Sequence, residues 1–370
     1  MSKAADLANL IGNINAGGGG VNRNLVINGA MEIAQRGTSA VTINSGSATY
    51  RLDRFYASGA SSAGVFTVEQ STDAPTDFKN SLKVTVTTAD SSIGSTTNYR
   101  VNQNIEGQNI SSLNYGSSNA KTVALSFYVK SSLTGTFGGK LGNSARDRSH
   151  PFTYTISSAN TWEKKTVTIT GDTSGTWLDT NGIGFELVWS IGAGADRLGT
   201  AGTWAGVRYD GASGQTNIIA TNSSTWFLTG VQLEVGQNPT EFEREPFERT
   251  LAKCYRYTQR LPHFDNTSGG GYAGICTVGR NDNTTLNSSS AMLPVTMRED
   301  PAIESQSGNF RIHHANAGTA VTNIQIDDEI CTSGVIHFNS TVSSGLTAGD
   351  GGQLQQNNDS DAHLIIESEL

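Results

Sequence analysis

The feature that most constrains this chain is a two-residue alternation of apolar and polar side chains that recurs in short runs from Asn24 to about Phe242. Val123, Leu125, Phe127 and Val129 alternate with Ala124, Ser126, Tyr128 and Lys130, and Leu82, Val84 and Val86 with Lys83, Thr85 and Thr87. Successive side chains of a strand point to opposite faces, so each run buries one face and wets the other. Phe152, Tyr154 and Ile156 repeat the pattern between threonines, as do Val167 and Ile169. Ile183, Phe185, Leu187, Trp189 and Ile191 form the longest apolar set, as expected of a central strand. Trp226 and Leu228 change face relative to Val231, Leu233 and Val235 across Gly230, the mark of a bulge. Runs this short, separated by Gly, Asn, Asp and Ser, predict an all-β fold with an antiparallel two-sheet sandwich over residues 23–245.

After residue 245 the period changes. Pro246 stands at the start of a helix-like pattern, where its missing N–H costs nothing. Phe247, Leu251, Cys254, Tyr255 and Thr258 share one stripe, with Glu241, Glu243, Glu245 and Glu248 before or at its start and Lys253, Arg256 and Arg260 towards its end. Those charges complement the helix dipole, and a connecting helix over 246–260, ended by Pro262, is expected. Residues 261–370 then predict a smaller C-terminal β domain, with strands at 272–278, 291–296, 310–313, 321–326, 331–338 and 363–366. The stretches 280–290 and 343–360 read as long loops. At the other end, Ala4, Leu7, Ala8, Ile11 and Ile14 fall at helical spacing before a glycine run at 17–20. Residues 1–22 thus read as a docking peptide on a loose tether.

The chain has 370 residues, a net charge of −8 and only 16% charged residues. An acidic chain without a dense basic run excludes nucleic acid as the expected partner. No stretch approaches the ~20 apolar residues of a membrane-spanning helix, so no membrane insertion is expected. Asp6 interrupts the segment where a signal peptide would be apolar. Three widely spaced cysteines, Cys254, Cys276 and Cys331, support neither a disulfide framework nor a zinc site.

Four elements occur in a telling order. The opening Asn24-Leu25-Val26-Ile27-Asn28-Gly29-Ala30-Met31-Glu32-Ile33-Ala34-Gln35-Arg36-Gly37 is followed by Asp53-Arg54-Phe55. Next comes Thr229-Gly230-Val231-Gln232-Leu233-Glu234-Val235-Gly236, and last Phe242-Glu243-Arg244 with Cys254-Tyr255-Arg256-Tyr257. Together they resemble a module of phage tail fibres and related virion proteins, over about residues 24–260. The start Met1-Ser2-Lys3-Ala4-Ala5-Asp6-Leu7-Ala8 is similar to tail-fibre N-termini that attach to a virion. The resemblance implies a jelly roll like that of carbohydrate-binding modules. It also implies a tail-fibre protein that attaches the virion to the host surface by multivalent, non-covalent glycan binding. On that reading the chain is made in the host cytoplasm and resides in the virion tail. Its partners would be a tail or baseplate protein, held by residues 1–22, and a host surface polysaccharide, met by residues 261–370 as the tip. The exposed sheet edges of a weakly charged strand protein need covering, and the resemblance implies that three-fold assembly, usual in phage fibres, covers them. A homotrimer would also gain avidity. The alternatives are a structural virion protein, such as a capsid decoration or tail-associated subunit, and a tailspike polysaccharide depolymerase. The latter is disfavoured because no repeated β-helix turns occur.

No G-x-S-x-G elbow is present, and the chain is expected not to be an enzyme. His313 and His314 are adjacent on a strand, so they point to opposite faces and share no metal easily. Glu241, Glu243 and Glu245 are better placed to support a helix start than to act as paired acids. Asp327-Asp328-Glu329 reads as a solvated turn, and the resemblance places Arg51, Asp53 and Arg54 inside the module, as a buried ion pair fixing the first strand in preference to a binding triad. Sugars need aromatic faces and planar polar groups. In the sandwich, Trp204, Arg208 and Tyr209, with Arg197 and Asp210, lie on one Gly-rich stretch and are the glycan-binding candidates, unless Trp204 simply plugs the sandwich edge. In the smaller unit the candidates are His263, Tyr272, Arg280 and His313. No cofactor is expected, apart from a structural calcium that the resemblance makes a candidate. Its oxygen donors near the first and last strands would be Asn28, Glu32 and Glu234.

Overall fold

The alternating runs fold as strands, and their apolar faces meet across two sheets. The computed structural model describes residues 3, 4, 7, 8, 11, 22–46, 48–262 and 271–370. It parts into two compact units, one running to Thr250 and the other from Leu251 to Glu369. His263 and most of residues 1–22 lie outside the described residues.

In chain order the first unit contains β1 (Val41–Ile43), β2 (Ala48–Leu52), β3 (Phe55–Gly59), β4 (Val65–Ser71), β5 (Ser81–Thr88) and β6 (Asn98–Glu106). A single turn of helix, α1 (Gly107–Ile110), precedes β7 (Val123–Ser131), β8 (Gly135–Gly142), β9 (Ser149–Ile156), β10 (Glu163–Ile169) and β11 (Ile183–Ala193). The two-residue strands β12 (Leu198–Gly199) and β13 (Gly211–Ala212) lead to β14 (Thr225–Val235). One six-stranded sheet has the order β1-β4-β5-β14-β7-β10, the other β2-β3-β6-β11-β8-β9. Every pairing within these two sheets is antiparallel. The chain passes back and forth between them, which is the jelly-roll sandwich.

The core lies where the inner faces meet. Phe127 from the first sheet packs edge-on to Trp189 and Tyr154 of the second, with ring centroids 5.7 and 5.1 Å apart. The buried Trp226 indole donates to the Tyr154 hydroxyl at 3.1 Å, so its one polar atom is satisfied. Each such side chain contributes about 1.5–3 kcal/mol by burial, and each ring pair about 0.5–1.5 kcal/mol more. The expected central strand is β11, flanked by β6 and β8. The expected bulge is present: Gly230 has φ +60° and the β14–β7 register shifts between Thr229 and Gln232.

After residue 245 the structure departs from the expected helix. The helix α2 (Phe247–Tyr255) is nine residues long, not fifteen, and residues from Thr258 form β15 (Thr258–Leu261). The Gln259 amide turns back to donate to Tyr255 O at 3.0 Å, and Tyr257 N donates to Cys254 O at 2.9 Å. These bonds satisfy carbonyls that a longer helix would have used.

A closed antiparallel barrel follows, built from β16 (Gly279–Asn281), β17 (Leu286–Met292), β19 (Phe310–His314), β20 (Ala317–Ile326), β21 (Val335–Val342) and β22 (Gly351–Gln356) in the order β16-β17-β21-β20-β19-β22. Beside it, β23 (His363–Glu367) pairs between β15 and β18 (Ala302–Ser307). The segments 280–290 and 343–360, expected as loops, thus contribute parts of three barrel strands. Their inward positions include Asn281, Asn287 and Gly352, whose polar or missing side chains hide the alternation. Asn287 Nδ2 donates to Asn281 Oδ1 at 3.0 Å, which makes that interior position tolerable. Conversely, 272–278 is irregular apart from a bridge at Gly274, and 291–296 holds only the end of β17.

Candidate functional site

The outer face of the second sheet is polar yet largely enclosed. On β6, Tyr99, Val101 and Ile105 point into the core, while Asn98, Arg100 and Asn102 take the outer positions. Ser58 of β3 pairs across from Arg100, and Lys140 of β8 from Val188 of β11. Residues 195–217 fold over this face. Gln215 secures them, its Nε2 donating to Ser190 Oγ at 2.7 Å and its Oε1 accepting from Ala212 N at 3.0 Å.

Asp210, fully buried, is the node. It accepts from Asn98 Nδ2 at 2.6 Å, Arg208 Nε at 3.0 Å and Arg100 Nη1 at 3.4 Å. Arg197 is positioned from the backbone: its Nε donates to Thr96 O at 3.1 Å, and Asp210 N donates to Arg197 O at 2.8 Å. A cleft of about 250 Å³ opens here, lined among others by Ser58, Asn98, Arg100, Arg197 and Arg208. Burial lowers the Arg208 pKa; Asp210 opposes that, and the nearby Arg100, Arg146 and Arg197 charges add to it. Close by, Lys140 donates to Glu186 at 2.5 Å and Arg146 to the same carboxylate at 3.1 Å. The buried Asn102 Oδ1 has no hydrogen-bond partner. Such a face can hold hydroxyls and anions through fixed donors.

Of the sequence-derived candidates, Arg208 lines this cleft, with Arg197 beside it and Asp210 beneath. Tyr209 does not; its ring packs so closely on Gly199 that a Cβ there would lie 2.2 Å from it. Trp204 is not at the cleft either. It sits among His150, Trp177 and Tyr115 at 5.1, 5.5 and 6.0 Å, with its indole donating to Thr170 O at 2.8 Å. It plugs the sandwich edge, because its large apolar surface finds three rings there. Arg100, Asn98 and Ser58 are missing from the sequence-derived set. The polar half of β6 (Asn98, Arg100, Asn102, Asn104) alternating with Tyr99 and Val101 is the signal that could have found them.

In the barrel unit, Tyr272 is 42% exposed with the Arg311 guanidinium 4.2 Å from its ring centroid. His313 lies two residues from Arg311 on β19, so it shares that outward side. Arg280 is exposed and spends its guanidinium on Asp282, at 3.0 and 2.5 Å.

The calcium candidates do not fit a cation. Asn28 donates to Ile33 O and Asp53 O and accepts from Ile33 N. Glu234, fully buried, accepts from Thr240 N at 2.6 Å and Gln232 Nε2 at 2.8 Å, with Arg23 3.5 Å away. Glu32 lines a small cleft with Asn28 that Glu234 does not reach. Among the described residues no group of three or more His, Cys, Asp or Glu side chains that could hold a metal ion occurs.

The residues that carry the family resemblance are instead a structural knot. Asn24 Oδ1 accepts from Leu233 N and its Nδ2 donates to Val231 O, tying the first segment to β14. Asp53 accepts from Gln35 N at 2.9 Å and Gln35 Nε2 at 2.5 Å, and Arg54 donates to Asn104 O at 2.6 Å. Asp53 and Arg54 are buried as expected, with Gln35 and a backbone carbonyl among their partners. Arg51 is half-buried and donates to the carbonyls of Ser39 and Arg36. Glu243 receives Asn22 N and Asn24 N at 2.6 and 2.9 Å, which braces the first segment. Asp327 caps its own turn by accepting from Glu329 N at 3.3 Å.

No protein-family model matches the chain, and no curated protein matches it. Among solved structures it is similar to the enzymatically active domain of tailspike protein 4 of bacteriophage CBA120. That match has a TM-score of 0.30 and 12% identity, and covers 58% of this chain but only 21% of the tailspike's length. It is also similar to a putative sugar binding protein from Bacteroides thetaiotaomicron, with a TM-score of 0.32 and 14% identity over 57% of this chain and 99% of that one. A third is a family 11 carbohydrate-binding module from Clostridium thermocellum in complex with a mixed-linked tetrasaccharide, with a TM-score of 0.27, 8% identity and coverage of 55% and 99%. What the face can bind is set by its own residues.

Proposed function

We propose that this chain is a non-catalytic glycan-binding protein of a phage tail, holding the virion to a host surface polysaccharide through the outer-face cleft of its sandwich. One observation carries the sugar reading. Arg100, Arg197 and Arg208 line an open cleft as preset donors, with Asn98 and the buried Asp210 holding two of them from beneath. Sugars are hydroxyl-rich, and fixed planar donors on a strand scaffold pair with them at low ordering cost. The tail assignment rests on the four sequence elements that resemble tail-fibre modules. A homotrimer, with residues 1–22 docking on the tail and the barrel unit at the tip, completes the reading, and three weak sites would gain avidity by ~10²–10⁴.

The test is calorimetry of the purified chain against surface polysaccharide of susceptible and resistant hosts, with a reducing-end assay in parallel. Binding to the former alone, without new reducing ends, is the expected result. Release of oligosaccharide would make the protein a depolymerase, and absence of any binding would remove the sugar reading.

A further inference from the structure

The chain as a whole is acidic, with a net charge of −8, yet its cleft is cationic. Three guanidiniums, those of Arg100, Arg197 and Arg208, line it, and one carboxylate, Asp210, serves two of them. Asp210 is fully enclosed and also receives Asn98, so it balances charge from beneath and does not face an incoming ligand. Asp196, next to Arg197 in the 195–197 turn, is not among the lining residues. Arg197 forms no ion pair among the described residues, and the hydrogen bond it makes is to the Thr96 carbonyl through Nε, which leaves its terminal nitrogens to the cleft. On the same face, Lys140 and Arg146 share the single carboxylate of Glu186, so the surplus is positive there too.

Partly buried guanidiniums crowded together are held at a cost, because each has shed water and repels its neighbours. A neutral sugar would displace more of that water and offer only dipoles in return. A planar oxyanion would accept two parallel N–H bonds from one guanidinium and offset the surplus charge of the others.

We propose that this cleft takes the anionic substituent, a carboxylate or a sulfate on a sugar ring, of an acidic polysaccharide. The proposal deepens the glycan-binding reading above and depends on it. The cleft selects acidic over neutral glycans, and Arg197 is the contact whose loss weakens the charged ligand most.

The experiment is calorimetry on the full chain against polygalacturonate, dextran sulfate, uncharged dextran and a single-stranded DNA oligomer, at low and raised salt. Arg197→Gln, Arg208→Gln and Arg197→Lys are measured beside it, and melting curves establish that each variant is folded. Polygalacturonate or dextran sulfate should bind at least about ten-fold more tightly than dextran, and the one preferred identifies the oxyanion. Arg197→Gln should lose about ten-fold for that glycan and only about two-fold for dextran, because a hydroxyl loses one hydrogen bond and an oxyanion loses the charge as well, with Arg197→Lys recovering part for the acidic glycan, since an ammonium keeps charge but not the fork. Equal binding of acidic and neutral glycans, unmoved by Arg197→Gln, overturns the anion proposal and leaves the glycan reading standing. DNA binding as tightly as the acidic glycan overturns it as mere polyanion attraction. Failure of every glycan removes both readings.

Discussion

Lys140 Nζ lies 2.5 Å from Glu186 Oε2, and the two side chains are 0% and 1% exposed. They come from neighbouring strands, β8 and β11, and both take the outer face of their sheet. Taking two charges out of water costs several kcal/mol per ion, and well-packed apolar residues would do as well or better for stability alone. Arg146 closes the arrangement from a less enclosed position, 3.1 Å from the second Glu186 oxygen. The face therefore keeps charge where the core-packing logic of a sandwich does not ask for it.

That pair sets an acid limit on the fold. Burial alone would raise the Glu186 carboxyl; the charges of Lys140, Arg100 and Arg146 overcome it and hold the pKa at about 2, against an ordinary 4.5. A carboxyl depressed in the folded state releases its proton more readily there than when unfolded. Its stabilisation is complete above pH 4.5 and is lost as pH falls from 4.5 towards 2, while burial lowers the Lys140 pKa and so works against the pair from the other side. Thermal scans should show a plateau above that window and a steep fall within it, with a shallower fall in Glu186→Gln. Lys140→Met leaves a buried carboxylate short of a partner and should cost about 3 kcal/mol at pH 7. An unchanged acid profile in Glu186→Gln would rule the pair out as its cause.

The family-like motif predicts stability effects and no binding effects. Gly29 passes so close to β14 that a Cβ would lie 2.1 Å from the Val231 carbonyl oxygen, which is backbone and cannot swing away. Gly29→Ala should therefore cost more than about 3 kcal/mol or leave the chain insoluble. Gly202→Ala meets open space, but Gly202 has φ +84°, so only a modest backbone penalty is expected there. Asp53→Ala strands two buried donors of Gln35 and should lower Tm by about 5–10 °C, at 2–4 °C per kcal/mol for a unit of this size. Circular-dichroism melts of the three variants order these costs, and similar values for Gly29→Ala and Gly202→Ala would contradict the close approach.

The sandwich was legible because its strands bury one face of strictly alternating side chains: Phe185, Leu187 and Trp189 announce β11 unaided. The barrel was half-legible. Phe310 and Ile312 mark β19, but β16, β17 and β22 place Asn281, Asn287, Ser289 and Gly352 towards the interior, and no hydropathy pattern reveals a polar barrel layer. The helix was over-extended because Thr258 continues the stripe of Phe247, Leu251 and Cys254 while actually pairing with Glu367 in a sheet. Of the site, Arg197, Arg208 and Asp210 were readable as one polar cluster in a Gly-rich stretch. Their partner Arg100 lies about a hundred residues upstream and joins them only through the β3–β6–β11 order, which sequence spacing does not encode.

Trp204 separates structural from binding roles. Its ring is wedged among His150, Trp177 and Tyr115, and its N–H is satisfied by Thr170 O. Trp204→Ala opens a void at the sandwich edge and should cost about 3 kcal/mol, the low end for a tryptophan because the site is only partly enclosed. Glycan affinity should stay within about two-fold of the parent, since the residue does not line the arginine cleft. A loss of affinity larger than the loss of Arg208 causes would place the sugar site at Trp204 instead.

The three thiols give an independent check on the second unit. Cys254 and Cys276 are buried, and Cys331 is half-buried with its Sγ receiving His337 N at 3.1 Å. Burial pushes the Cys276 thiol up to about 12, only slightly offset by a hydrogen bond with Ser289. At pH 8 a thiol of that pKa is about one part in ten thousand thiolate, and the thiolate is the reactive form. Burial raises Cys331 as well, helped by the nearby Asp328 and Asp327 charges, but it retains access to solvent. Titration of the native chain with a chromogenic disulfide reagent should therefore show one slow equivalent, at Cys331, and three equivalents in denaturant. Mass mapping of the modified residues identifies the order. Fast native labelling of Cys276 would mean that the barrel does not close over it, and the register that places Gly279, Ser289 and Gly352 around its interior would have to be abandoned.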